Sequence, residues 1–240
     1  MKGILTLVPT PIDEVNPLEE VAFNQLKDAY ENKKEKTIFA IEDLKAGRRR
    51  WIRWGLPRDI VNDFVLYNEH TYEKESVALL DYLKKGFNVF LMSDGGLPAF
   101  CDPGRKLVDL CHKSRVRVTS TPFPHSISLA LALSGFSHKS FWFEGFLPAK
   151  KEFREQRWKE LLQNEATLVL MDTPYRLGKT LEELKTFLKK KRDVFLALDL
   201  NSETEELMRG GANQLIKNLK NKKREFVLII APFSKKDSPL

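Results

Sequence analysis

Cysteine and histidine are scarce in this chain of 240 residues, which has two Cys and four His. The cysteines, Cys101 and Cys111, cannot form a disulfide scaffold, so we expect a reduced, cytoplasmic protein. The Cys and His residues also lack the spacing of a zinc site, and we expect no metal.

Long apolar runs and common nucleotide-binding motifs are also missing. No run reaches the roughly 18 apolar residues that a membrane helix needs, and the first residues lack the features of a secretory signal. The phosphate-binding loop, the GxGxxG pattern of dinucleotide-binding proteins and the GxSxG pattern of serine hydrolases do not occur. The sequence therefore predicts no membrane association, and these three classes of site are not indicated.

The charge is positive and unevenly distributed. The net charge is +7. Residues 1–120 hold 19 Lys and Arg against 18 Asp and Glu, whereas residues 121–240 hold 21 against 15. The basic residues cluster at Arg48–Arg50, Lys150-Lys151, Lys189–Arg192 and Lys222–Arg224. Such clusters attract polyanions such as RNA, but each can equally be a solvated face.

Short β-rich runs alternate with helical stretches along the whole chain, which predicts an α/β fold with largely parallel sheets. The predicted strands are Ile4–Val8, Thr37–Ile41, Phe64–Tyr67, Asn88–Met92, Val116–Ser120, Ser140–Phe143, Thr167–Met171, Val194–Leu200 and Phe226–Ala231. The predicted helices are 18–30, 73–85, 103–113, 126–134, 152–163, 178–190 and 211–220, with a frayed tail at 234–240. The stiff segment Thr121-Pro122-Phe123-Pro124 predicts a connector between domains 1–121 and 122–240.

Polar residues follow four strands of the first half. These residues are Thr10, Glu42-Asp43, Glu69-His70 and Ser93-Asp94. Ligands of parallel sheets bind outside the carboxyl ends of the strands, so we expect these groups to converge. Asp94 precedes two glycines, and its carboxylate either binds a ligand hydroxyl or amine or only caps backbone amides.

Several other residues allow two interpretations each. His125-Ser126 opens a helix whose amides either hold an anion or are capped by Ser126. His70 and His125 are either bases or structural residues. Glu42 and Asp43 are neighbours in an extended segment and point to opposite faces, which disfavours a paired acid and base. Trp51 and Trp54 either stack on nucleobases or pack on a helix face.

Four motifs give the chain a family resemblance. Ser93–Gly104 is similar to SDAGTPxxSDPG, Phe143–Lys150 to FxGFLPxK, Asp172–Leu177 to ESPHRL, and Asn201–Gly210 to an acidic LTKxxEE segment. The chain thus resembles the class III, tetrapyrrole-methylase-type, S-adenosylmethionine-dependent methyltransferases, and within them the ribosomal RNA small subunit branch. It departs from that branch at residues 9–13, which lack the Gly-Asn-Leu of PIGNL, and at residues 42–45, which lack the Thr and Arg of EDTR.

The resemblance implies a cofactor, a fold and a partner. It implies S-adenosyl-L-methionine in a cleft between two α/β domains, a homodimer, and ribosomal RNA or the small-subunit particle as partner. The implied cofactor contacts are Pro11, Asp94, Leu97, Ser126, Ile127, Met171 and Leu200.

The resemblance also suggests a reaction, 2′-O-methylation of ribose in small-subunit ribosomal RNA. A ribose hydroxyl needs a base, for which the candidates are Glu69, His70 and Asp43, while the phosphates would contact Arg48, Arg49, Arg50, Lys150 and Lys151. Two alternatives stay open at this point: a methyltransferase for a tetrapyrrole-like small molecule, and a non-catalytic RNA-binding paralogue.

Overall fold

The computed structural model describes residues 1–123, 125–188 and 192–233. It divides the chain into two compact units, of which the first is Met1–Phe123 and the second is the rest. The strands are β1 (Ile4–Val8), β2 (Thr37–Ile41), β3 (Val65–Leu66), β4 (Asn88–Met92), β5 (Arg117–Ser120), β6 (Phe141–Phe146), β7 (Thr167–Asp172), β8 (Val194–Leu198), β9 (Glu206–Gly210) and β10 (Phe226–Ile230). The α-helices are α1 (Glu20–Lys33), α2 (Leu44–Arg53), α3 (Tyr72–Lys84), α4 (Arg105–Lys113), α5 (Ser126–Ser134), α6 (Lys151–Leu161), α7 (Leu177–Phe187) and α8 (Ala212–Asn218).

The first unit is a parallel sheet of order β3-β2-β4-β1-β5 with helices on both faces. Helices α1 and α2 cover one face through apolar side chains such as Leu26 and Trp51, and α3 and α4 cover the other through Leu79 and Leu107. Because all five strands run in one direction, their carboxyl ends form a single edge. The loops after β1, β2, β3 and β4 therefore lie side by side, as the strand-end residues predicted.

The second unit contains a mixed sheet of order β6-β7-β10-β8-β9. β6 and β7 are parallel, and the other pairs are antiparallel. Strands β8 and β10 are buried at every position, since α-helices and loops cover both faces. No helix of the described residues is long and apolar enough to cross a membrane.

The predicted α/β class with parallel or mixed sheets is confirmed, but two elements were missed. Helix α2 was overlooked because its sequence, LKAGRRRWIR, buries only Arg50 and Trp51 and shows no apolar period. Strand β9 was overlooked because only Met208 is buried in it. The predicted helix end at 189–190, most of the Lys189–Arg192 cluster, Pro124 and the tail 234–240 lie outside the described residues.

Trp51 packs in the core and does not stack on bases. Its ring lies 4.9 Å from that of Phe39 and 5.2 Å from that of Phe64, and it is fully buried. Its indole N–H donates to the carbonyl of Pro57 at 2.8 Å. The packing interpretation of this residue is therefore confirmed.

Candidate functional site

A pocket of about 580 Å³ opens at the carboxyl edge of the first sheet. It is lined by residues that follow β2, β3 and β4, together with the first residues of α4. The acidic lining residues are Glu42, Asp43, Glu69, Asp94 and Asp102, and the basic ones are His70, Arg105 and Lys106. The pocket therefore combines carboxylates with cations, which suits a ligand that carries both kinds of group.

The segment Ser93–Gly96, which we call the glycine bend, is fastened to the loop after β1. The backbone N–H and C=O of Thr10 pair with those of Gly96 at 2.9 and 2.8 Å. The Thr10 hydroxyl donates to the carbonyl of Ser93 at 2.9 Å. Gly96 has φ +102°, and a Cβ at Gly95 would lie 3.4 Å from Cα of Ile12. The bend thus brings backbone close to a second loop and presents Asp94 at the pocket.

The carboxylates of Glu42, Asp94 and Asp102 repel one another at this edge. The backbone N–H of Asp94 donates to Oε2 of Glu42 at 3.1 Å. Burial raises the pKa of Asp94 to about 6, with added repulsion from Glu42 and Asp43. Burial and the charge of Glu42 raise the pKa of Asp102 to about 7, although Ser93 donates a hydrogen bond to it. Both groups therefore favour a positively charged or proton-donating ligand.

Asp43 caps helix α2. One oxygen of its carboxylate accepts from the amides of Lys45 and Ala46 at 2.7 and 2.8 Å, and these bonds lower the pKa of the group. Asp43 does not pair with Glu42, as the strand geometry predicted. This capping role leaves Asp43 poorly suited to accept a proton.

Glu69 and His70 stand side by side at the rim of the pocket. Both side chains are 81% exposed, and Oε1 of Glu69 lies 3.5 Å from Nε2 of His70. The amide oxygen of Asn68 accepts from the backbone N–H groups of His70 and Thr71, which fixes this turn before α3. The two candidate bases are thus held on an ordered turn with free access from solvent.

The three consecutive arginines of α2, Arg48–Arg50, occupy different environments. Arg48 is half-buried and donates to the carbonyl of Val61 at 2.8 Å. Arg49 is exposed and pairs with Glu14. Arg50 is 5% exposed and donates to the carbonyl of Pro11 at 2.6 Å. Because Arg48 is half-buried, Arg49 exposed and Arg50 buried, the three side chains cannot all serve equally as phosphate contacts.

Three of the four predicted cofactor residues in the second unit share one apolar cluster. Ile127, on α5, is buried in it, and Met171 and Leu200 pack against it at the ends of β7 and β8. Ser126 begins α5, but His125 holds the cap position and makes no side-chain capping bond. The predicted N-cap at Ser126 is therefore wrong, because the preceding residue already has extended backbone.

The FxGFLPxK and ESPHRL-like motifs meet in a buried charge network. Arg154 is 1% exposed and donates to Asp172 at 2.8 Å, Glu183 at 2.6 Å and Thr180 at 2.8 Å. It also reaches the carbonyl of Leu147 at 3.4 Å. The turn Asp172–Arg176 is thus anchored by its first residue, which gives this motif a structural role.

Lys150 and Lys151 lie next to this network, and both are exposed. Arg192, from another basic cluster, is instead buried and donates to the carbonyls of Asn164, Ala166 and Ala231. Lys150 and Lys151 are therefore better placed for a polyanion than Arg192 is.

The sequence did not identify Asp102 as a site residue, and it gave Arg50 a different role. Asp102 was quoted in the glycine-rich motif, but its approach to Asp94 depends on left-handed backbone at Ala99 and Cys101, both with φ +66°. Arg50 was expected to contact phosphates, whereas it binds the loop after β1. Because helix α2 was not predicted, no feature of the sequence indicated this contact.

The chain is similar to known proteins along most of its length. The family model for Tetrapyrrole (Corrin/Porphyrin) Methylases matches residues 27–216. A ribosomal RNA small subunit methyltransferase I of Synechocystis sp. is 32% identical over 239 residues, which cover 99% of this chain and 82% of that protein. The protein of the same name from Thermotoga maritima is 30% identical over 221 residues, which cover 92% of this chain and 94% of that one.

Solved structures share the fold at low sequence identity. A diphthine synthase has a TM-score of 0.64 and 13% identity, with 96% of this chain and 90% of that chain covered. A cobalt precorrin-4 methyltransferase has a TM-score of 0.58 and 12% identity, with 95% and 94% covered.

Proposed function

The chain belongs to the Tetrapyrrole (Corrin/Porphyrin) Methylases family, among the relatives of ribosomal RNA small subunit methyltransferase I, and from this premise we propose its reaction and substrate. It is a methyltransferase. The proposal is that it uses S-adenosyl-L-methionine to methylate a ribose 2′-hydroxyl of small-subunit ribosomal RNA.

The observation that carries the proposal is the glycine bend with Asp94 at the carboxyl edge of the first sheet. Its two glycines permit the close approach of Ile12 to Gly95 and the positive φ of Gly96, and Leu97, half-buried beside them, offers an apolar contact. The raised pKa values of Asp94 and Asp102 suit a cationic ligand that would share the charge. These residues fit S-adenosylmethionine, which supplies an electrophilic methyl group on a sulfonium when it is bound.

Residues of the first unit would hold this cofactor through Asp94, Leu97 and Pro11. The resemblance adds Ser126, Ile127, Met171 and Leu200, and the shared apolar cluster of the last three supports that part of the proposal. Methyl transfer requires alignment and exclusion of water, which ordered loops and apolar side chains supply.

A ribose hydroxyl must lose its proton in this reaction. We assign that role to the Glu69 and His70 pair or to Asp102, all of which line one pocket. Asp102 has a pKa of about 7 and can accept a proton near neutral pH. We give Asp43 no catalytic role, because its carboxylate caps α2.

The RNA phosphates would contact exposed cations. Lys150 and Lys151 are exposed, and Arg49 is exposed although it pairs with Glu14. Since Arg50 is buried, we exclude it from this set. A ribosomal substrate places the enzyme in the cytoplasm.

The resemblance also implies a homodimer, which we propose for this chain. The edge strand β6 exposes Phe141, Trp142 and Phe146, each by nearly half, and large exposed aromatic side chains favour association.

Light scattering tests the oligomeric state, and for a homodimer we expect twice the chain mass of 27.8 kDa. Trp142→Ser should shift the protein toward monomer, whereas Tyr175→Ser, at another exposed aromatic, should not. If light scattering shows that the wild-type protein is a monomer, the proposed homodimer is wrong.

The function is tested by methyl transfer from labelled S-adenosylmethionine to a panel of acceptors. The panel contains small ribosomal subunits that lack ribose methylation, naked ribosomal RNA, and a uroporphyrinogen-type tetrapyrrole. We expect label in the RNA of the subunits. Label in the tetrapyrrole alone would favour the small-molecule alternative. RNA binding without cofactor binding would favour a non-catalytic paralogue.

A further inference from the structure

The loop after β1, Pro9–Glu14, has few backbone donors of its own, and we call it the proline loop. Pro9 and Pro11 lack an N–H group, so neither can donate a hydrogen bond to the rest of the protein. The backbone bonds of Thr10 tie one side of the loop to Gly96. The loop therefore supplies few N–H donors to its own carbonyl groups. The carbonyls after Thr10 need donors from other elements of the protein.

Helix α2 supplies these donors through its arginines. Arg50 donates to the carbonyl of Pro11 at 2.6 Å and to that of Ile12 at 3.4 Å. Arg53 donates to the carbonyl of Glu14 at 2.7 Å, and Arg49 pairs with the Glu14 carboxylate. The proline loop is thus held between α2 on one side and the glycine bend on the other.

The burial of Arg50 is costly and needs a reason. Its guanidinium is removed from water, and its Nε is buried without a hydrogen-bond partner in the part of the chain that the structure describes. Burial lowers the pKa of Arg50, while the charges of Glu14 and Asp94 favour its protonated form and those of Arg49 and Arg53 oppose it. A buried cation is stable only where other groups bind it, so Arg50 has a structural role in holding this loop and is not a solvated surface charge.

Arg50 also lies within the electrostatic reach of Asp94. The charge of Arg50 acts to lower the pKa of Asp94, against the effects of burial and of Glu42. A single side chain therefore fixes the position of Pro11 and acts on the charge of Asp94. Both residues are proposed cofactor contacts.

We propose that Arg50 is a positioning residue for methyl-donor binding, which holds the proline loop against the glycine bend instead of contacting RNA. The inference rests on the proposed function, because it assumes that these two loops hold the donor. Lysine cannot replace Arg50 fully, since one ammonium group lacks the planar fork that reaches two carbonyls.

The test compares Arg50→Met and Arg50→Lys with wild type. The control is Arg192→Lys, which changes another buried arginine that binds carbonyls, but in the second unit. Amide hydrogen exchange at Thr10 and Gly96 reports the attachment of the loop, and calorimetry reports binding of S-adenosylmethionine. Thermal unfolding shows whether each variant is folded, and Arg50→Lys keeps the test valid if Arg50→Met does not fold.

We expect Arg50→Met to speed exchange at both amides and to weaken donor binding by about tenfold or more, with Arg50→Lys in between. Arg192→Lys should lower stability without either change. A folded Arg50 variant with wild-type exchange and wild-type affinity overturns the inference. Faster amide exchange with unchanged affinity for S-adenosylmethionine would show that Arg50 holds the loop but does not support binding of the donor. If wild type does not bind the donor, the proposed function fails, and the exchange data still decide whether Arg50 holds the loop.

Discussion

We expect binding of the methyl donor to depend most on Asp94. Asp94→Asn removes the charge and keeps the shape, so loss of a charged hydrogen bond of roughly 1.5–3 kcal/mol should weaken binding of S-adenosylmethionine by at least about tenfold. Calorimetry of the purified variant measures this. Asp109→Asn, at an exposed carboxylate on α4 that pairs with Lys113, is the matched control. A folded Asp94→Asn protein with wild-type affinity contradicts the assignment.

Asp102 makes stability depend on pH in a defined direction. Its pKa is about 7 in the folded protein and 3.8 when unperturbed, so the folded state holds more protons between these values. Its contribution to the free energy of unfolding therefore decreases as pH rises from about 4 to 7. Urea unfolding at pH 5 and pH 8 should show that Asp102→Asn gains stability over wild type as pH rises. An equal difference at both pH values would show that the group is not perturbed.

Some of these acidic site residues could be predicted from the sequence, and others could not. Asp94 follows an apolar strand and precedes two glycines, and these two local features are enough to predict it as a site residue. The mutual repulsion of Glu42, Asp94 and Asp102 depends on the register of β2 against β4 and on the left-handed turn at Ala99. Neither feature leaves a pattern in a single sequence.

At the scale of elements, α6 is joined to α7 and β7 by Arg154. Breaking a buried ion pair leaves an uncompensated charge, so Arg154→Ala should lower the free energy of unfolding by about 3–5 kcal/mol. Arg157, one turn along the same helix, pairs with Glu144 and Glu160 and is 31% exposed. Arg157→Ala should cost less, about 1–2 kcal/mol, because the pair with Glu144 is bidentate but partly open to solvent. Urea unfolding measures both variants. Equal decreases in the free energy of unfolding would show that the buried Arg154 network contributes no more to stability than the more exposed Arg157 pairs.

Elements with an apolar period could be predicted, and those without one could not. Strands β1, β2 and β4 occur within the bounds expected, because each is a mainly apolar run that ends at a proline or a polar residue. Helix α2 escaped prediction since it is held by the Asp43 cap, by buried Trp51 and by the hydrogen bonds of Arg50 to the proline loop, not by an apolar face. The sequence therefore indicated its arginines as phosphate contacts and gave no sign of their bonds to that loop.

At the scale of the whole molecule, the positive charge should guide RNA binding through exposed lysines. Reversal of Lys150 and Lys151 to Glu should weaken binding of small-subunit RNA and reduce the slope of log affinity against log salt by roughly 1.5–2. Reversal of Lys84 and Lys85, an exposed pair at the end of α3, is the matched control. Filter binding at several salt concentrations measures both. Equal effects of the two reversals would mean that only net charge matters.

We propose that this chain methylates a ribose of small-subunit ribosomal RNA with a donor held by the glycine bend. Mapping of ribose methylation across that RNA, in cells that lack the protein and in the same cells supplied with wild type or Asp94→Ala, decides whether it does. We expect that one ribose position loses its methyl group, regains it with wild type, and does not regain it with the variant. An unchanged methylation map in cells that lack the protein would show that the proposed reaction is wrong.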